Sequence, residues 1–140
     1  MRDIIDLIGR IFLSTIFIFE AVDSILYFDK NLNSMREYGF NDNLETYLYA
    51  SIFLLVAGGL MVLFGYRSTL GSILLLCYWI PVTLVIHDFW NAPKDQLRIE
   101  SILFMKDIAI IGGLLMLMGK GSGRYSVKRL LATTRVRSFM

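Results

Sequence analysis

The sequence predicts an all-α integral membrane protein, a four-helix bundle of spanning segments arranged as two pseudo-repeated helical hairpins. Three observations carry that expectation. Of 140 residues 56% are hydrophobic, and the mean hydropathy of +0.59 is that of a membrane protein rather than a soluble domain. The charged residues, 19% of the chain, sit mostly in a few short segments, which leaves four apolar runs close to the roughly 20 residues that cross a bilayer. Two of those runs also end in matching glycine-rich patterns.

The four spans are expected at about Ile4 to Tyr27, Tyr47 to Tyr66, Leu70 to Ile86 and Ile99 to Met118. Together they make a helical domain over residues 1–122, followed by a basic cytoplasmic tail over 123–140. The first span has Glu20 where the apolar region of a signal peptide would continue, and no small-residue cleavage site, so it is read as a retained helix. With Cys77 as the one cysteine, an internal disulfide or a Cys-x-x-Cys redox pair is excluded.

Lys and Arg are distributed unevenly. Arg2, Arg10, Arg67, Lys120, Arg124, Lys128, Arg129, Arg135 and Arg137 share one side, against Lys30, Arg36, Lys94 and Arg98 on the other. Nine against four places both termini in the cytoplasm. Arg10 lies close enough to that face to snorkel.

Taken in order, the first span carries Glu20 and Asp23 on one helical face toward its outer end, with Ser24 beside them. Residues 29–45 read as a polar connector with turn-forming Gly39 and Asn41, long enough to cap the outer mouth. The second span closes with Gly58, Gly59, Leu60, Leu63, Gly65 and Ser68; the fourth repeats them without a gap as Gly112, Gly113, Leu114, Leu117, Gly119 and Ser122. Small residues let helices approach closely in lipid, so Gly58, Gly59, Gly112 and Gly113 are candidate packing positions and the recurrence suggests a repeat. Chance likeness between two Gly/Leu-rich spans is the alternative.

The third span contains Pro81, which removes a backbone donor and predicts a kink, with Thr83 compensating locally. Past it stand His87, the only histidine, and Phe89 and Trp90, suited to an interfacial aromatic belt. One histidine without a second ligand gives no metal site.

The fourth span holds adjacent charges, Lys106 and Asp107, where an unpaired ionisable group costs roughly 2.5 to 3.5 kcal/mol. Such charges need partners. Glu20 lies seven residues below Tyr27, about 10 Å beneath the outer end, and Lys106 lies seven residues inside the fourth span from the same side. The expected cluster is therefore Glu20, Asp23, His87, Lys106 and Asp107, with Lys106 meeting Glu20 or Asp23. It serves either as a structural ion pair or as the lining of a polar cavity open to the outer side. Beyond Gly119 the glycine-rich Lys120 to Ser126 matches no phosphate-loop spacing, and a cationic tail on the anionic leaflet is the simpler account.

The ordered set of Gly9-Arg10, Gly58-Gly59-Leu60 with Gly65 and Arg67, His87-x-Phe89-Trp90, Phe104-x-Lys106 followed by Gly112-Gly113, and Gly123-Arg124-Tyr125-Ser126 resembles the DoxX family of small four-helix membrane proteins. That resemblance implies a bacterial inner-membrane subunit of a quinone- or sulfur/thiol-linked oxidoreductase complex. Many members have Gly and Lys where this chain has Glu20 and Asp23, and Asn where it has Asp107, so its cluster is more acidic than theirs.

Three function classes follow. The first is a subunit that binds a quinone or small sulfur substrate at the cluster, without an intrinsic cofactor, any quinone being shared with a partner. The second is a non-catalytic scaffold; the third is a small-solute carrier or proton relay. The expected partners are membrane lipid and either further copies of the chain or other membrane subunits, with no nucleic acid.

Overall fold

Apolar residues recurring at three- and four-residue intervals form helices that bury one stripe each. The computed structural model describes residues 2–39, 42–87, 90–123, 125–127 and 129. Five helices occur there: α1 (Arg2–Leu26), α2 (Phe28–Glu37), α3 (Leu44–Phe64), α4 (Ser68–Ile86) and α5 (Leu97–Lys120). No strand is found among the described residues.

Three helices, α3, α4 and α5, are long and apolar enough to cross a membrane on their own. The first expected span differs. Asp3, Asp6, Arg10, Glu20 and Asp23 interrupt α1, which passes the same test of length and composition only when joined to α2, and the chain turns by 93° between them. Length and composition therefore support three spans, or four if that bent pair is one.

The stretch expected to be a solvated connector is mostly helix α2. Phe28, Leu32 and Met35 recur at helical spacing and pack on Leu44, Leu48 and Ile52 of α3, so burial of that face orders the segment. Phe40 and Asn41 lie outside the described residues.

The long helices lie side by side, α1 on α3, α3 on α4 and α4 on α5. Their stripes meet in one core: Phe17 and Ala21 from α1, Leu55 and Val62 from α3, Leu75 and Trp79 from α4, Leu114 and Leu117 from α5. Phe17 and Trp79 cross edge to face, centroids 5.0 Å apart. The α3–α4 crossing is closest at glycine. A Cβ on Gly58 would lie 2.6 Å from Leu75 Cγ and 3.1 Å from the Gly71 carbonyl oxygen.

The other candidate packing glycines are less confined. A Cβ on Gly59 would meet Ile18 at 3.2 Å and one on Gly113 would meet Leu13 at 3.4 Å, whereas at Gly112 nothing lies within 4 Å. The closing serines of the two matching patterns do meet, Ser68 Oγ donating to Ser122 Oγ at 2.9 Å.

Pro81 does not break α4, which runs on to Ile86. Its ring is exposed, and Thr83 turns inward to Asp107 rather than compensating locally. Gly65 ends α3 at φ +68°, a conformation L side chains rarely adopt, and the chain re-enters α4 within three residues.

Arg10 is not a snorkelling side chain. At 2% exposure it is buried beside Gly65, its Nη2 donating to the Tyr125 carbonyl and its Nε 3.7 Å from Asp6. A guanidinium held inside by a carboxylate and a backbone oxygen has no reason to reach outward. The rest of the expected tail, Arg124, Lys128 and residues 130–140, lies outside the described residues.

Candidate functional site

The site forms where α4 and α5 end and begin. Thr83 on α4 and His87, which caps its end, stand one turn apart, and Glu100 and Asp107 two turns apart on α5, so the two pairs face each other across the helix contact. His87 Nδ1 lies 2.9 Å from Glu100 Oε2, Nε2 lies 3.7 Å from Asp107 Oδ2, and Thr83 Oγ1 donates to Asp107 Oδ2 at 3.1 Å. A carboxylate only accepts, so the tautomer that fits the shorter contact carries its proton on Nδ1. The result is a ladder from partly exposed Glu100 through His87 to buried Asp107.

From α1, Glu20 and Asp23 complete the acidic surroundings. Glu20 is half-buried and within electrostatic reach of Asp23, Asp107 and His87, with no hydrogen bond or ion pair to another described residue. It lines a cavity of about 390 Å³ together with Tyr38, Tyr47, Ser51, Cys77 and Tyr78. Exposed Cys77, Pro81 and Val85 on α4 and Tyr47 and Ala50 on α3 put the mouth between the Glu20 ends of those helices.

Lys106 is not part of this cluster. Its side chain is exposed on α5, and no ion pair joins it to Glu20 or Asp23. Successive helical residues point about 100° apart. The buried stripe of α5 is Asp107, Leu114 and Leu117, one position on from the face of Lys106 and Gly113, so only one of the adjacent charges turns inward. Lys106→Met should therefore change unfolding stability in detergent by less than about 0.5 kcal/mol. A clear drop in melting temperature would contradict this placement.

The structure thus brings Glu20, Asp23, His87 and Asp107 into one region and leaves Lys106 out. Sequence reasoning missed Glu100 and Thr83 as members. The matched spacings, four residues on one helix and seven on the other, were the available signal. Trp90 stacks edge to face on Phe104 beside this end, centroids 5.9 Å apart, while Asp88 and Phe89 lie outside the described residues. Among the described residues no group of three His, Cys, Asp or Glu side chains converges as a metal site.

Comparison with known proteins places the chain differently from the motif order. The model of the SURF4 family matches residues 44–130. This corrects the DoxX resemblance: paired glycines, an Arg at a helix end and interfacial aromatics are what close packing asks of many small membrane bundles. Inner membrane protein YphA of Escherichia coli is 24% identical over 128 residues, 91% of either chain. Inner membrane protein YqjF of the same organism is 32% identical over 80 residues, 57% of this chain and 58% of that protein. An uncharacterized protein of Caenorhabditis elegans is 33% identical over 86 residues, 59% of this chain but 31% of its own length. No solved structure matches.

Proposed function

Because the chain belongs to the SURF4 family and is an integral membrane protein, we propose that it acts as a membrane-embedded binding protein for a cationic amphiphile, held by Glu20 in the cavity beneath α2. The carrying observation is the half-buried Glu20 carboxylate, with no Lys or Arg paired to it among the described residues and tyrosines around it. A carboxylate so placed favours an ammonium, which tyrosine faces also attract, and an opening between two spans admits an apolar tail from lipid.

In this proposal α1, α3, α4 and α5 span the bilayer as a four-helix bundle of two related hairpins, supported by their shared core and the Ser68–Ser122 contact. The membrane is the bacterial inner membrane, in keeping with the two relatives so named, and both termini are cytoplasmic by the balance of Lys and Arg. The fully buried Phe17, Leu55, Leu75 and Leu114 form an apolar layer beneath the cavity, which suits a receptor or scaffold better than an open conduction path. The family match lends no support to the redox role implied by the DoxX resemblance, which is not carried forward.

The test is calorimetric titration of dodecyltrimethylammonium into the protein in zwitterionic nanodiscs. Saturable binding is expected, weakened at least about tenfold, or 1.4 kcal/mol, by Glu20→Gln. Equal affinity in wild type and variant would overturn the proposal.

A further inference from the structure

A second, chemically opposite site lies at the far end of the molecule. Because α1 packs chiefly on α3 and α5 chiefly on α4, the two leave a cleft between them, with a cavity of about 450 Å³. Its apolar lining includes Ile5, Leu13 and Met116, the last 78% exposed. Glycines widen it: a Cβ on Gly9 would meet nothing within 4 Å, and one on Gly113 would meet only Leu13.

The polar end of the cleft is formed by Asp6, Arg10 and Lys120. Lys120 Nζ sits 2.9 Å from Asp6 Oδ1 and is 56% exposed, at the last residue of α5. Arg10 is enclosed behind them, its Nε 3.7 Å from Asp6 Oδ2, and neither those two atoms nor its Nη1 makes a hydrogen bond. The Arg10 charge is thus only loosely compensated, and its field reaches the exposed Lys120 end of the cleft. Among the described residues two cations against one carboxylate leave one positive charge, which a single phosphodiester neutralises. This end of α5 is also where a spanning helix reaches head-group level.

We propose that this cleft binds one phospholipid with a negatively charged head group, its phosphate at Lys120 with the enclosed Arg10 charge behind it, and one acyl chain along Gly9, Leu13 and Met116. The site is independent of Glu20 and of which leaflet it faces. Basic pockets between spanning helices take anionic head groups by the same chemistry.

Native mass spectrometry of protein released from equimolar phosphatidylglycerol and phosphatidylcholine of matched acyl chains tests the site. One retained phosphatidylglycerol is expected, favoured about tenfold over phosphatidylcholine. Lys120→Gln should bring the ratio close to one, and Gly9→Leu, which fills the cleft, should reduce retention of both lipids. Lys120 is largely exposed, so its variant reads the head-group half whether or not the Gly9 variant folds. Equal retention of the two lipids by wild type, an unchanged ratio in the Lys120 variant, or undiminished retention in a folded Gly9 variant would overturn the proposal. So would displacement of the lipid by millimolar inorganic phosphate, which would mark a free-anion site.

Discussion

Arg10→Met should be the most damaging single change in the chain, lowering stability by about 3 to 5 kcal/mol, the range for removing one partner of a buried charge pair. Arg10 is almost fully enclosed; it neighbours Asp6 and donates to the Tyr125 carbonyl, tying α1 to the segment that follows α5. Without it, Asp6 keeps only Lys120 as a cation partner among the described residues, through a side chain largely in solvent. Methionine fills the volume but supplies no charge. The companion variant, Arg10→Met with Asp6→Leu, should recover much of the loss, because no buried charge then stands unpaired. Gly65→Ala should mimic part of the effect, since its Cβ would land on the Arg10 guanidinium at a φ that alanine adopts poorly. Thermal unfolding in detergent measures all of these; a double variant no better than Arg10→Met would show that the pair is not what holds this end.

Much of the fold was legible in the sequence because apolar runs and glycine recurrences are strong signals in a bilayer. The positions of α3, α4 and α5 follow from them. α1 was harder, since its length says span and its five charges from Asp3 to Asp23 say otherwise; Arg10 and Asp6 are tolerated by pairing inside, which no one-dimensional pattern reports. α2 was hidden by polarity. Phe28, Leu32 and Met35 make a narrow apolar stripe on an otherwise hydrophilic segment, and that stripe becomes meaningful only against Leu44 and Leu48.

The site was legible in part for a related reason. Depth along a helix is additive in the sequence, so Glu20, Asp23, His87 and Asp107 were placed together. Rotation about the helix axis is not given by depth. A rotation of one residue separates Lys106 from Asp107, and it changes the cluster from a balanced ion pair into an acidic site. Glu100, at the outer edge of the fourth span and given no role there, holds His87.

Gly58→Val should be the second large loss, about 1 to 3 kcal/mol or more from overpacking. The backbones of α3 and α4 touch there in both directions. A Cβ on Gly71 would lie 2.8 Å from Met61 Cβ and 3.0 Å from the Gly58 carbonyl oxygen, the counterpart of the Gly58 contacts with Leu75 and Gly71. Leu75 is fully buried, so it has little room to turn away, and valine would force the helices apart. The same change at Gly112, where nothing lies within 4 Å of an added Cβ, should be tolerated. Comparable melting temperatures for the two variants would mean that the crossing is not held at Gly58.

The cavity under α2 is tested most directly by photo-cross-linking with an alkyl diazirine that carries a trimethylammonium head group, followed by mapping of the labelled peptides. Labels are expected in residues 47–54 of α3 and 77–86 of α4, the walls of the Glu20 cavity, and should fall sharply in Glu20→Gln. Labelling centred on the exposed Lys106 face of α5, or left unchanged by Glu20→Gln, would contradict a cation site at Glu20.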